Sequence, residues 1–307
     1  MRLAVLSVAA ALLSFADVVA QNAPGIARTP DGRPDLQGFW TNGTITPLLR
    51  PPEFANKEFL TPQEAADFER TALPRLLQGA QVDQQSAAEL SYTYIDRLAV
   101  VDGGRTSLIV DPHDGRFPPR APQFTGRAAV SSDDPETRTP DERCLLGMAA
   151  GSSSASPPIV PNPLNGNFYQ IVQTPEHVVI LAELIHDARI IRLNSRHRVP
   201  PIASWLGDSI GRWEGDSLIA ETVGFNDRRS WRGSGERLRV VEEFTRIDVN
   251  TIRYRATIED PDRWIRPWSM QIPFKATDQR VFEYACHEGN YTLGAILRGA
   301  RMEEGTR

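Results

Sequence analysis

Lysine, cysteine and histidine are all scarce in this chain of 307 residues. Lysine and arginine together number 34 against 39 acidic residues, which gives a formal net charge of −5. Proteins that bind nucleic acid carry a clustered excess of positive charge. The charge balance therefore argues against a nucleic-acid partner.

Lysine occurs only as Lys57 and Lys275. The residues three positions before them are Phe54 and Ile272, so no serine stands at the spacing of a serine-lysine pair. The sequence also has no P-loop and no complete G-x-G-x-x-G motif. We therefore expect no organic cofactor.

The five histidines form no HExxH motif and no Cys/His cluster with metal-ligand spacing. We therefore expect no metal ion. A competing hypothesis is a site shared between two hairpins, because His186 follows Glu183 closely and precedes Asp187, and His287 adjoins Glu288. An ordinary turn histidine is the favoured interpretation of each.

Long apolar runs are confined to the N-terminus. Arg2 precedes the apolar stretch 3–15, and Val18-Val19-Ala20 offers small residues where signal peptidase needs them. This pattern predicts a signal peptide over 1–20, cleaved after Ala20, and a periplasmic or secreted protein. A buried N-terminal helix is the alternative, which the polar Gln21-Asn22 disfavours. The rest of the sequence has no run of about 18 apolar residues, so we predict no transmembrane segment.

Only two cysteines occur, Cys144 and Cys286. In an oxidising compartment an isolated pair favours a disulfide. In the chain-entropy model, closing so long a loop adds at most about 5 kcal/mol of stability. The alternatives are two buried thiols or a catalytic cysteine.

Proline is unevenly distributed: 18 of the 24 prolines lie at or before Pro163. Turn signals fill the same part of the chain. We predict a proline-rich wrapping segment over 21–165 and a second region over 166–307, with a boundary near Asn165.

The wrapping segment contains one clear helix signal. Thr61 is a good N-cap, Pro62 stands at the first helical position, and Glu64 completes a capping box. Pro74 is expected to end or kink the helix, and Gly79 to close the region. A second short helix is predicted over 86–95.

After residue 165 the apolar pattern changes to a period of two, which is typical of strands. Eight antiparallel strands with no helix between them predict a mainly β, calycin-like up-and-down barrel, since closure removes bare edges. A barrel of about eight strands can hold one small ligand. The predicted strands are 168–173, 177–184, 188–193, 212–224, 238–247, 251–259, 268–274 and 281–286.

Two serine motifs attract attention in this region. Gly215-Asp216-Ser217-Leu218 spells the GDSL of an esterase class, and residues 207–211 fit G-x-S-x-G. Both chemistries need a helix after the serine turn. An alternating strand pattern follows instead, so we interpret Gly211, Gly215 and Asp216 as turn residues and expect Trp213 to pack at the barrel base.

Polar side chains on otherwise apolar strands are the best site candidates, because alternate residues of a barrel strand point inward. Glu242 shares its strand face with Val240 and Phe244, so we predict that it points inward. Solvent exposure or cross-strand pairing is the alternative for each candidate. The predicted ligand-binding residues are Glu183, Arg189, Arg192, Trp213, Tyr254, Trp268 and Glu283. The predicted acid/base residues are Glu221, Glu242, His186 and His287. Tryptophans near strand ends, Trp205 among them, could line the mouth of a pocket.

Several sequence segments, spread over almost the whole predicted mature chain, resemble segments of known proteins. Examples are DGRPDLQGFW at 31–40, GRWEGDSL at 211–218 and EYACHEGNY at 283–291. Together they resemble a family of uncharacterised exported bacterial proteins. The resemblance implies export and carries over neither a reaction nor site residues.

Three hypotheses of function follow. The leading one is an exported barrel that binds a small, largely apolar or aromatic molecule. The second is an acid/base enzyme without organic cofactor, acting as an isomerase, cyclase, lyase or hydrolase. The third is an interaction module of the cell envelope, which predicts a large apolar surface patch. The sequence does not indicate an oligomeric state.

Overall fold

A computed structural model describes residues 25–79, 99–101, 103–124, 140, 143–146, 154–162, 167–199, 201–226 and 232–305. The predicted signal peptide, the predicted helix over 86–95 and the predicted boundary at Asn165 lie outside these residues.

Ten strands and two α-helices organise the described chain. The strands are β1 (Gly38–Thr41), β2 (Ile109–Asp111), β3 (Phe168–Gln173), β4 (His177–Ala182), β5 (Ala188–Leu193), β6 (Asp208–Glu214), β7 (Ser217–Val223), β8 (Arg239–Asp248), β9 (Thr251–Glu259) and β10 (Trp268–Ala276). The helices are α1 (Pro62–Gly79) and α2 (Tyr291–Gly305).

Nine of the strands close into a barrel. From β3 to β10 each strand pairs with the next in the chain, and β1 pairs with both β3 and β10. Strand β2 adds to β10 beside the start of that strand. The predicted mainly β barrel with few helices is confirmed, with the N-terminal strand β1 as its closing member.

The prediction of one strand over 212–224 was wrong. The chain forms a hairpin there, in which β6 and β7 pair from Asp208 with Val223 to Glu214 with Ser217. Gly215 and Asp216 form the turn, as predicted, and Gly215 takes a positive φ of 60°. The two-residue turn shifts the buried positions from mainly odd-numbered residues in β6 to even-numbered residues in β7, which a single continuous strand could not do.

The predicted strand over 281–286 was also wrong. These residues form no strand in the structure. The edge of β10 that such a strand would need is taken by β1, with Trp40 opposite Ala276. The chain after β10 therefore leaves the barrel and ends in α2.

One pair of barrel strands is parallel, where the sequence predicted only antiparallel neighbours. Strands β5 and β6 pair in parallel over Ile191–Leu193. A parallel neighbour requires the chain to return to the starting end of the barrel between Leu193 and Asp208. We call this connection the crossover; its described residues are 194–199 and 201–207. Gly211 lies inside β6 and not in the predicted turn. A Cβ atom there would lie 2.7 Å from Cγ2 of Ile191, so glycine permits the close approach of the two strands.

Closely packed aromatic side chains occupy the barrel interior. The ring centroids of Phe244 and Tyr254 lie 5.0 Å apart, and those of Tyr254 and Phe274 lie 5.5 Å apart. Tyr169 continues the series at 5.3 Å from Phe274. Burial of such large rings is the main source of stability in a core.

Described parts of the long segment between β1 and β3 cap one end of the barrel. The segment leaves and returns at the same end, because Thr41 at the end of β1 pairs with Phe168 at the start of β3. Residues 154–160 of this segment are buried, and the N–H of Ile159 donates a hydrogen bond of 2.8 Å to the hydroxyl of Tyr254. The cap is therefore anchored to a side chain inside the barrel.

The predicted capping box of α1 is confirmed. The N–H of Thr61 donates to Oε2 of Glu64 at 2.8 Å, and the N–H of Glu64 donates to Oγ1 of Thr61 at 3.3 Å. Hydrogen bonds from Lys57 and Thr61 lower the pKa of Glu64 to about 2. The helix continues past Pro74 and ends at Gly79.

The predicted disulfide is confirmed. Cys144 and Cys286 are bonded, with their Cα atoms 5.8 Å apart and 142 positions apart in sequence. The bond joins the capping segment to the chain that follows β10. Neither α-helix in the described part of the chain has the length and apolar character needed to span a membrane.

Candidate functional site

A pocket of about 600 Å³ lies in the barrel wall beside β5. Strand β5 pairs with β4 from Ala188 to Arg192, but with β6 only from Ile191 onward. The first residues of β5 therefore border a gap, over which the end of the crossover passes. We call this pocket the wall groove. Its apolar lining consists of Leu145, Ala188, Ile190, Trp205 and Leu206, and its charged or titratable lining consists of His177, Asp187, Arg189, Arg192, Arg198 and Asp208.

Asp208, the first residue of β6, gathers donors from the crossover and from β5. Its Oδ1 accepts a hydrogen bond from Arg192 at 2.8 Å, and its Oδ2 accepts one from the N–H of Arg198 at 3.0 Å. Nδ1 of His197 lies 3.1 Å from the same Oδ2. Burial opposes ionisation, but the hydrogen bonds from Arg198, His197 and Arg192 outweigh it, so the pKa of Asp208 lies below its usual range.

His197 connects two carboxylates and thereby fastens the crossover to the barrel. Its Nε2 lies 3.3 Å from Oε1 of Glu221 on β7. Oε2 of Glu221 accepts a hydrogen bond of 2.6 Å from Arg239 on β8. Hydrogen bonding and charge from Arg239, with a smaller contribution from His197, lower the pKa of Glu221. Because both ring nitrogens of His197 face carboxylates, this side chain holds the crossover in place.

Arg189 connects the wall groove to the barrel interior. Its two terminal nitrogens donate to Glu242 at 2.6 and 3.0 Å, and Tyr254 donates to the same carboxylate at 2.9 Å. Arg189 and Glu242 expose only 2% and 0% of their side chains. Glu242 therefore points inward, as its position on the strand predicted. Burial and the charge of Glu242 raise the pKa of Tyr254.

Nε is the one nitrogen of the Arg189 guanidinium for which the described residues offer no acceptor. It is buried and has no hydrogen-bond partner among the residues that the structure describes. A buried N–H without a partner costs about 1 to 3 kcal/mol. Arg189 is also part of the lining of the wall groove.

The four predicted acid/base residues are not brought together. Glu242 is ion-paired with Arg189 inside the barrel, and Glu221 is hydrogen-bonded to His197 and Arg239. Nδ1 of His186 lies 3.2 Å from the carbonyl oxygen of Tyr284, and His287 is exposed. Among the described residues no hydrogen bond joins any two of the four, so their placement does not favour an acid/base site built from this set.

Two of the predicted ligand-binding residues, Arg189 and Arg192, line the wall groove. Tyr254 and Trp268 are fully buried in the core. Trp268 packs edge-on against Phe117, with ring centroids 4.9 Å apart. These two aromatic residues therefore support the fold.

The other three predicted ligand-binding residues lie away from the wall groove. Trp213 is half-buried near the end of β6, and Arg33 stacks on its ring at 5.9 Å. Glu183 accepts a hydrogen bond from the N–H of Phe282 at 3.1 Å, and burial raises its pKa. Glu283 is exposed on the segment that forms no strand.

Sequence reasoning missed Asp208, His197 and Arg198 as site residues. Asp208 was considered only as part of a serine motif, and His197 only as one of five scattered histidines. These residues come together only because of the path of the crossover, and no local sequence pattern predicts that path. A usable signal was the excess of polar residues in 194–198 beside a strand, together with Trp205 among the tryptophans near strand ends.

Comparison of the chain with protein-family models and with curated proteins found no match.

Proposed function

We propose that this protein binds a small, largely apolar or aromatic molecule in the wall groove. The observation that carries the proposal is a cavity of about 600 Å³ whose lining combines Trp205, Leu206 and Ile190 with arginine side chains. Binding pockets for small molecules combine an apolar lining with a few polar groups that fix orientation. The wall groove offers both kinds of group, with five apolar side chains and six charged or titratable ones in its lining.

The wall is a better location for the ligand than the centre of the barrel. Rings of Phe244, Tyr254 and Phe274 pack against one another in the interior, and the cap is bonded to Tyr254. A ligand in the centre would have to displace these rings. In the wall groove it contacts side chains that are already in reach of solvent, such as Ile190, which is 56% exposed.

Export is part of the proposal. The disulfide between Cys144 and Cys286 is of the kind that persists in oxidising compartments. The apolar N-terminal stretch and the resemblance to exported bacterial proteins support the same assignment. We propose that the mature protein works in the periplasm or outside the cell.

A neutral aromatic probe tests the binding proposal. Titration with 2-naphthylmethanol, followed by calorimetry and by thermal shift, should show saturable binding. Replacing Trp205 with alanine should weaken binding about tenfold or more, since a stacked aromatic contact is lost. Trp213→Phe is the matched control, because Trp213 is half-buried and lies away from the wall groove.

Ile190→Ser provides a second test. It should weaken probe binding while changing the free energy of unfolding by less than about 0.5 kcal/mol, as expected for an exposed side chain. Unchanged affinity in both Trp205→Ala and Ile190→Ser would remove the wall groove as the binding site.

A further inference from the structure

We propose that the ligand of the wall groove is a monocarboxylate, that is, an apolar or aromatic body with one carboxylate group that the groove arginines bind. This inference rests on the proposed function and specifies its ligand class.

The first support is Arg198. Its side chain is 55% exposed, and its Nε approaches Asp208 at only 4.0 Å, which is beyond hydrogen-bond distance. The carboxylate of Asp208 is already engaged by Arg192, by His197 and by the backbone N–H of Arg198. Within the described residues the guanidinium of Arg198 therefore has no hydrogen-bond acceptor. Arg198 lines the groove, so its donors are available to bind an anionic group there.

The second support is Arg189 on the inner side of the same groove. Its terminal nitrogens are held by Glu242, and its buried Nε has no partner among the described residues. A ligand oxygen at this donor would relieve the cost of the unpaired N–H. Arg189 and Arg198 thus both belong to the lining of one cavity.

The acidic residues of the groove limit the charge of the ligand. Asp187 and Asp208 both line the cavity. Asp187 accepts a hydrogen bond of 2.6 Å from the hydroxyl of Ser154. A dianion such as a phosphate monoester would be repelled by both carboxylates. A carboxylate carries one negative charge and matches the planar fork of a guanidinium. The balance of charges therefore favours a monocarboxylate.

The apolar lining specifies the rest of the molecule. Trp205 offers a ring for stacking, and Leu206 and Ile190 offer aliphatic surface. A flat apolar body on these side chains leaves its carboxylate free to reach the arginines.

Three probes that share a naphthalene body test this assignment: 2-naphthoate, 2-naphthylmethanol and 2-naphthyl phosphate. Calorimetry at low salt should show 2-naphthoate binding about tenfold more tightly than the alcohol, because a hydrogen bond to a charged group is stronger than one to a neutral group. The phosphate should bind more weakly than the carboxylate. A tenfold increase in ionic strength should weaken binding of the carboxylate and leave that of the alcohol almost unchanged.

Arg198→Gln should remove most of the preference for 2-naphthoate without changing affinity for the alcohol. Arg212→Gln is the matched control: Arg212 is also 55% exposed, but it pairs with Glu214 outside the groove. Thermal midpoints of both variants should stay close to that of the parent protein.

The outcomes separate this inference from the proposed function. Equal affinity for 2-naphthoate and the alcohol, or equal effects of Arg198→Gln and Arg212→Gln, would overturn the carboxylate assignment and leave the binding proposal standing. Tighter binding of 2-naphthyl phosphate would overturn it in favour of a phosphate ligand. Failure of all three probes to bind would overturn both.

Discussion

The two sides of the barrel wall differ in how far their neighbouring strands are paired. Strands β8 and β9 pair from Arg239 to Asp248, whereas β5 and β6 pair only over Ile191–Leu193. Where backbone pairing is short, side chains connect the strands instead. Arg189 reaches across the interior to Glu242 on β8, and His197 links the crossover to Glu221 on β7. The groove lies on the weakly paired side, where backbone hydrogen bonds do not fill the wall.

Breaking the link across the interior should have the largest effect. Arg189→Met leaves the carboxylate of Glu242 buried without its cation, which should lower the free energy of unfolding by about 3 to 5 kcal/mol. Urea denaturation measures the change. In the double variant Arg189→Met with Glu242→Leu most of the loss should be regained, since no lone charge stays buried.

The exposed pair of Arg237 and Asp262, at 2.7 Å, supplies the control. Arg237→Met should cost less than about 1 kcal/mol. If Arg189→Met cost no more than Arg237→Met, the idea that a buried pair holds the two sides together would be wrong.

Removing the disulfide should have the next largest effect. Cys144→Ser with Cys286→Ser opens a long covalent loop and should lower stability by about 2 to 4 kcal/mol. Because Leu145, next to Cys144, lines the groove, probe affinity should fall as well. The strongly paired side should keep its aromatic near-ultraviolet circular dichroism. Unchanged affinity would show that the disulfide has no part in shaping the groove.

Gly207→Ala tests crowding at the groove itself. Gly207 has a φ of +73°, and a Cβ atom there would lie 2.6 Å from Cγ2 of Thr222 and 2.9 Å from the carbonyl oxygen of Val223. We expect a loss of about 1 to 3 kcal/mol in urea denaturation. Gly215→Ala shares the positive φ, but a Cβ atom there meets nothing within 4 Å. It should therefore cost less, and equal losses would show that backbone conformation alone matters.

Acid should loosen the crossover. The pKa values of Asp208 and Glu221 are lowered in the folded protein, so their stabilising contribution is present above their ordinary pKa values of about 4 and disappears as the pH falls through the lowered values. Asp208→Asn should therefore show a smaller loss of stability between neutral and acid pH than the parent, by about 1 kcal/mol. Asp262→Asn, at an exposed pair, should follow the parent; identical pH profiles for all three proteins would contradict this assignment.

Much of the barrel could be predicted from the sequence, because local alternation determines strands that are half-buried. The bounds predicted for β3, β5 and β9 agree with the structure. The short β1 gave no such signal: its four residues acquire their role only from β3 and β10, which are remote in sequence. The parallel pair was equally hidden, since pairing direction depends on the path of the crossover.

The site could be predicted only in part, for the same reason. Alternation along a single strand was enough to place Glu242 inside the barrel. Arg189 and Arg192 were identified as polar residues on an apolar strand, and both line the groove. Arg198 and His197 belong to the crossover, where neither a period of two nor a helical period applies. Their partners are therefore visible only in three dimensions.

The position of β1 has a consequence for fragments of this chain and for its synthesis. Trp40 pairs with Tyr169 and with Ala276, so the sheet closes only when the beginning and the far end of the chain are both present. A fragment that starts after Thr41, or a nascent chain that has not yet reached β10, leaves strand edges bare. Bare edges are templates for pairing between copies, and closure over so long a stretch of chain is a late event in folding. We therefore expect the four residues of β1 to limit self-association as well as to complete the barrel.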